Sequence, residues 1–341
     1  MSKKISIIIP CYNVEQYIDR CVNSLLNQSI GLQNLELIFI NDASPDNTLD
    51  KLLDYERQYP DDIIIINSPV NLKQGGARNL GLEQASCDYI GFVDADDWIA
   101  PTMYEKLYQK AVAHDCDVVT CSSKRTSDEQ TPMGQTGNAD KFYNIKDEEQ
   151  QKHLLLNGLT PGIWSKIYKK SILDTNHIRF PEHLYYEDNY FHNILYFYIK
   201  RIYRLEEYLY YYYDNQQSTI STLNSTHHFD RLEVELITLS EYRKRGFFDR
   251  YPDEIEFKFI RLFYIHTLHI IFTRFQDIPG NLLDKMKDTV KHNFPNYNSN
   301  KYISSLLPIN KILFNTLDIP FLQEDWQMFA SVYRDNLSHL I

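Results

Sequence analysis

The chain has 341 residues, a net charge of -11, 43% hydrophobic and 24% charged residues. That is the composition of a soluble globular protein with enough chain for more than one domain. The acidic balance excludes a general nucleic-acid binder, whose electrostatic footprint is basic. Cys11, Cys21, Cys87, Cys116 and Cys121 give neither a disulfide framework nor a zinc spacing, so reduced thiols in the cytoplasm are expected.

The apolar run Ile5–Ile9 predicts a first strand, too short for a signal-peptide core and ended by Pro10. Val14 to Gln28 has helical apolar spacing (Val14, Ile18, Cys21, Val22, Leu25). Strands are then expected at Leu35–Ile40, Ile63–Ile66, Tyr89–Val93 and Val118–Cys121. Helices are expected at Thr48–Tyr59, Gly76–Ala85 and Met103–Ala113. Near-continuous apolar strands separated by helices imply an α/β fold with a mostly parallel sheet covered on both faces. Residues 122–149 are polar and rich in turn-formers and read as an irregular excursion. A helix is expected around Ile172 and another from Tyr185, and Leu205–Tyr213 reads as extended. From about His227 the pattern is helical (Leu232–Arg245, Asp253–Phe275, Leu282–His292). The expected organisation is therefore a catalytic unit over 1–225 and a helical region over 226–341. Phe257–Phe272 is too short and too charged to span a bilayer.

In such sheets ligands bind beyond the carboxyl ends of the strands. There the sequence places Pro10-Cys11-Tyr12-Asn13, then Asn41-Asp42-Ala43-Ser44, then Gly75-Gly76-Ala77-Arg78-Asn79 entering a helix, then Asp94-Ala95-Asp96-Asp97. Three carboxylates at one strand end repel unless something neutralises them, and Mg²⁺ or Mn²⁺ bearing a phosphorylated ligand is suited to do so. A solvated acidic loop is the alternative. Small residues at a helix start let a backbone approach an anion closely, with a plain helix start as the alternative. Asp42 reads by itself as a turn residue or a cap before Thr48. Glu187-Asp188 reads by itself as an acidic helix start.

Five blocks in order resemble glycosyltransferase family 2, the inverting nucleotide-sugar enzymes of GT-A fold that build bacterial polysaccharides. They are Ile5–Asn13, Phe39–Ser44, Gly75–Asn79, Phe92–Asp97 and Glu187-Asp188. The resemblance implies that Asp188 is the catalytic base, with Glu187 orienting the base or the acceptor. It implies that Asp42 meets the uracil of a UDP-sugar. Asp96 would bind Mn²⁺ or Mg²⁺, with Asp94 assisting it or facing the ribose. Pro10, Tyr12, Asn13, Gly75 and Arg78 would complete the donor pocket. Trp164-Ser165-Lys166 matches a further block, in which Trp164 would wall a sugar and Lys166 would meet a phosphate; core and surface roles are equally open. The acceptor implied is a glycan, lipid-linked at the inner membrane face, and a peripheral membrane contact and a homo-oligomer stay open.

One departure concerns Asp214, which stands, four residues before Ser218, where many relatives place Arg. The rivals are a phosphatase using a paired-aspartate loop, disfavoured by Trp98 where Thr or Val is needed; a nucleotidyltransferase; and a non-catalytic sugar-nucleotide-binding module. Lys285, Lys287, Lys291 and His292 suggest a weak basic contact with anionic lipid, against a solvated helix face.

Overall fold

A computed structural model of the chain describes residues 3–128, 131, 134–159, 162–214 and 222–336. The chain divides into two compact units, 1–154 with 158–215, and 155–157 with 216–341.

The first unit is built on a mixed sheet. Its strands are β1 (Ile5–Cys11), β2 (Leu35–Asp42), β3 (Ile63–Ser68), β4 (Tyr89–Phe92), β5 (Trp98–Ile99), β6 (Val118–Thr126), β7 (Gly134–Gln135), β8 (Lys141–Asn144), β9 (Lys166–Lys169) and β10 (Arg201–Tyr213). The order is β3-β2-β1-β4-β9-β6-β10-β5, with β7 and β8 also on β10. The β3-β2-β1-β4 part is parallel, in register Ile5 to Leu35 and Ile5 to Tyr89. β9 runs antiparallel between β4 and β6. Helices α1 (Ile18–Leu26), α2 (Thr48–Gln58), α3 (Lys73–Gln84) and α4 (Met103–Ala113) connect the strands, followed by α5 (Glu148–Asn157), α6 (Lys170–Thr175) and α7 (Glu187–Leu195). Every residue of β2 is buried, including Asn41 and Asp42, as in a strand covered on both faces.

Two expectations need correction in this unit. Residues 122–149 are not simply irregular: β6 continues to Thr126, and β7 and β8 pair with β10. Both short strands lie on the exposed side of the sheet, with Phe142 and Tyr143 of β8 still 44% and 42% exposed, so no buried period marks them. β9 was not expected, because a four-residue strand beside Trp164 carries too little periodicity.

The second unit is helical and, among the described residues, holds no strand. Its helices are α8 (Asp230–Lys244), α9 (Pro252–Phe259), α10 (His266–Arg274), α11 (Gly280–Asn293), α12 (Pro308–Asn315) and α13 (Gln323–Asn336). The expected helix at Asp253–Phe275 is α9 and α10 joined by a π turn at Ile260–Ile265. Trp326, Ala330 and Tyr333 put one face of α13 in the core, against Phe272 of α10. No helix was expected at α13 by name, although that spacing in the sequence is helical. The basic run on α11 is not one continuous surface: Lys287 is buried, donates to the Ile319 carbonyl (2.6 Å) and lies over the Trp326 ring (4.6 Å). Its aliphatic stem fills apolar space while its ammonium finds a carbonyl. No helix among the described residues is long and apolar enough to cross a membrane.

Candidate active site

The loops after β1 and β2 are laced together. The Asn13 N–H donates to Ser44 Oγ (3.3 Å), and Ser44 Oγ donates to the Cys11 carbonyl (3.3 Å). Pro10 does not end β1 as expected: it pairs beside Ile40, β1 runs on to Cys11, and Tyr12 beyond it is half-exposed. Asp42, at the end of β2, is buried, and its Oδ1 accepts the Leu72 N–H at the start of α3 (2.7 Å). Burial raises its carboxyl above the usual range against the pull of the Leu72 and Lys73 N–H groups. Asp42 thus braces the entry to α3. The cap expected before Thr48 is supplied by Asp46 Oδ1 instead (3.2 Å).

α3 carries the glycine block. A Cβ on Gly75 would lie 2.2 Å from the Pro181 carbonyl oxygen and 3.3 Å from Glu187 Cγ. Glycine there lets the segment that leads into α7 pass over α3. Asn79 fastens the same segment: its Nδ2 donates to the Phe180 carbonyl and its Oδ1 accepts the Phe180 N–H, both at 2.9 Å. Phe180 then stacks on Phe191 of α7 (4.3 Å), and both rings meet Phe92 of β4 edge-on. Gly75→Ala is therefore expected to destabilise the protein by about 1–3 kcal/mol, the usual range for overpacking. A thermal melt checks this, and an unchanged midpoint would mean that the Pro181 segment yields.

Arg78 joins the two acidic blocks. It is buried; its Nη2 donates to Asp94 Oδ1 (2.9 Å) and its Nη1 to Glu187 Oε1. Burial pulls its pKa down, but the charges of Glu187, Asp94 and Asp188 outweigh this and hold the guanidinium charged. Glu187 is pushed up to about 7 by burial, against Arg78. Asp188, beside it in the first turn of α7, is half-buried, and its Oδ1 accepts the Asn189 N–H (3.0 Å). Tyr186, immediately before, is left-handed (φ 67°), as are Asn13, Ala43, Lys73, Ser165 and His183 in the surrounding loops. Non-glycine residues in that region are strained, and such strain gathers at functional sites.

The acidic turn after β4 closes through the Asp97 N–H on the Asp94 carbonyl (3.0 Å). Asp97 is committed to β10: its Oδ2 accepts the Tyr210 hydroxyl (2.5 Å) and its Oδ1 the Tyr213 N–H (2.8 Å). Burial, then the charges of Asp96 and Asp94, push its carboxyl well up. Asp96 is half-buried between these ties. Among the described residues no three His, Cys, Asp or Glu side chains form a metal cage. A hard cation that shares its shell with substrate phosphates needs only one or two protein carboxylates. The donor set at Asp96 therefore fits Mg²⁺ or Mn²⁺ arriving with a diphosphate, and not a resident structural metal.

Trp164 stacks on Tyr210 (4.7 Å) and leans on Tyr212 (5.6 Å). Lys166 is fully buried, with Nζ donating to the Gly162 carbonyl (2.5 Å), and burial pulls its pKa down to about 7. Tyr210 and Tyr211 are buried near the end of β10, Tyr212 and Tyr213 partly so, and Asp214 beyond them accepts Arg125 Nε (3.0 Å) and Nη2 (2.6 Å). Ser218 lies outside the described residues. The sequence did not mark Asn79 or Tyr210 for these contacts. Only for Asn79, inside the glycine block, was there a signal to follow.

The profile of Glycosyl transferase family 2 matches residues 6–176. The uncharacterized glycosyltransferase EpsJ of Bacillus subtilis is 32% identical over 217 residues, 63% of this chain and 62% of its own length. The poly(ribitol-phosphate) beta-glucosyltransferase of Bacillus spizizenii is 32% identical over 211 residues, 61% of this chain and 32% of its own length. The matched region thus spans less than two-thirds of either relative. The crystal structure of S. aureus TarS 1-349 in complex with UDP-GlcNAc superposes with a TM-score of 0.69 at 21% identity, covering 97% of this chain and 92% of that one. The likeness shows a common GT-A fold. The chain belongs to glycosyl transferase family 2.

Proposed function

From that membership we propose that the protein transfers a sugar from a UDP-sugar to a glycan hydroxyl with inversion, in bacterial cell-surface polysaccharide synthesis. The observation that carries the reading is Arg78, whose two ion pairs hold the turn of Asp94 and Asp96 against the helix of Glu187 and Asp188. Two acidic blocks far apart in sequence are thereby brought to one place. That is the arrangement a single displacement needs, with donor phosphates on one side and the attacking hydroxyl on the other.

Each residue then has a task. Asp42 accepts from the uracil N–H at the end of β2. Pro10, Tyr12 and Asn13 border the base, with Tyr12 offering a half-exposed ring. Asp96 holds the cation and Asp94 assists it or faces the ribose. When bound, Mg²⁺ or Mn²⁺ offsets the charge gathering on the departing diphosphate. Asp188 takes the proton of the acceptor hydroxyl as that oxygen attacks the anomeric carbon, and Glu187 fixes the turn from which it acts. Trp164 walls the sugar. Gly75 and Lys166 support the pocket from within: one admits the segment before α7, and the other holds the Trp164 turn through carbonyls.

Residues 1–225 are assigned to catalysis, and 226–341 to acceptor or subunit contacts. The proposed setting is the cytoplasm, at the inner face of the membrane, with a lipid-linked acceptor. The relative that acts on poly(ribitol phosphate) supports a surface-glycan acceptor, and the neighbour that holds UDP-GlcNAc supports a UDP-sugar.

The test is UDP release from a panel of UDP-sugars with Mn²⁺, Mg²⁺ or EDTA and no acceptor. Slow hydrolysis of one sugar, abolished by EDTA, is expected. Asp96→Ala is expected to remove the metal dependence of UDP-sugar binding, and an unchanged metal titration would overturn the cation's assignment. If no UDP-sugar is hydrolysed and UDP with Mn²⁺ gives no thermal stabilisation, a non-catalytic sugar-nucleotide-binding module becomes the reading.

A further inference from the structure

Arg20 is a long cationic side chain on α1, outside all five sequence blocks that mark the site after β1. Its Nη2 nevertheless donates to the main-chain carbonyl of Asp96 (2.6 Å). Its guanidinium carbon lies 4.2 Å from the centre of the Trp98 ring and 4.5 Å from that of Tyr213. Tyr17, one turn earlier, packs against Tyr213 (5.3 Å), and Trp98 stacks on Tyr211 (5.4 Å). A planar guanidinium can face two rings and still donate in its plane, which an ammonium cannot match.

The neighbours of Asp96 are tied by other means. Asp94 is held by Arg78 and, through its N–H, by the Tyr210 hydroxyl (3.2 Å). Asp97 is held by Tyr210 and Tyr213. The carbonyl of Asp96 itself is fixed from α1. A cationic donor is thus directed to a neutral carbonyl in the middle of three carboxylates. It restrains the backbone that aims the Asp96 side chain and adds positive charge to an acidic turn.

We propose that Arg20 is a positioning residue for the cation site at Asp96, locking the turn through its carbonyl while Trp98 and Tyr213 hold the guanidinium flat. The inference rests on the reading that Asp96 takes the cation that accompanies UDP.

The experiment titrates Mn²⁺ into the full-length protein with UDP present, following free Mn²⁺ by electron paramagnetic resonance. UDP binding in EDTA is measured in parallel. Residues that orient metal ligands typically contribute about 10–100-fold to metal affinity. Arg20→Leu is expected to weaken Mn²⁺ by about tenfold or more, and Arg20→Lys by less, with UDP binding in EDTA unchanged for both. If Arg20→Leu does not fold, Arg20→Lys carries the test by the same two readouts. Wild-type Mn²⁺ affinity in the folded variants would overturn the role of Arg20 while leaving the cation's assignment intact. An equal loss of UDP binding in EDTA would overturn it too, by making Arg20 a scaffold of the whole pocket. Wild-type protein that binds UDP but no Mn²⁺ would remove the cation from Asp96, and the inference with it.

Discussion

Asp188→Asn should fold like the wild type, bind UDP with unchanged affinity and lose sugar transfer by about 10²–10⁴-fold, the usual contribution of a general base. The amide keeps the size of the carboxylate and keeps an oxygen for the Asn189 N–H. It gives up a negative charge in the first turn of α7, where the helix dipole rewards acids by only about 0.3–1 kcal/mol. The helix itself is held elsewhere, by Phe191 on Phe180 and by Glu187 on Arg78. What disappears is the ability to accept a proton from the attacking hydroxyl. The check is a steady-state assay with acceptor, beside a melting curve and a UDP titration. Glu187→Gln sharpens the contrast: it removes the charge partner of Arg78, so its loss of transfer should come with a loss of stability. Near-normal transfer by Asp188→Asn would move the base to another group.

Much of this site was legible in the sequence because its markers are local. The strand ends, the glycine block and the acid at the start of α7 each show in a few consecutive residues, and β1, β2 and β4 lie where their apolar runs predict. What joins them is not local. Three carboxylates after a strand called for a neutraliser, and the sequence suggested a metal alone. The fold supplies Arg78 to Asp94 and buries Asp97 under Tyr210, leaving a smaller share of charge for any cation. Gly75 shows the same limit. A glycine at a helix start suggests ligand approach, but the close neighbour found here is Pro181, whose nearness no periodicity encodes. β7 and β8 were illegible for a different reason: strands of two and four residues are too short to show a period, and they form because β10 offers them an edge.

Arg78→Met should be the most destructive single change in the first unit, and its cost should depend on pH. Removing one partner of a buried ion pair leaves an uncompensated charge and typically costs about 3–5 kcal/mol. Here two carboxylates lose the same partner, one of them the fully enclosed Glu187. Methionine fills much of the volume over Phe180, so the loss is mainly electrostatic. In the wild type, burial already holds the Glu187 carboxyl up to about 7, above its ordinary value of 4.5. A carboxyl raised on folding favours the folded state fully below its unfolded pKa, and that contribution is lost as pH rises through the folded value. Glu187 therefore costs the wild type stability between about pH 4.5 and 7. Without Arg78 the folded value rises further, and the same loss extends to higher pH. The variant should melt closer to wild type at pH 5, where Glu187 is protonated, and fall further behind at pH 8. A melting series across that range decides the matter. A deficit independent of pH would mean that Arg78 acts through packing, and that the two acidic blocks are held together by Asn79 and Phe180 rather than by charge.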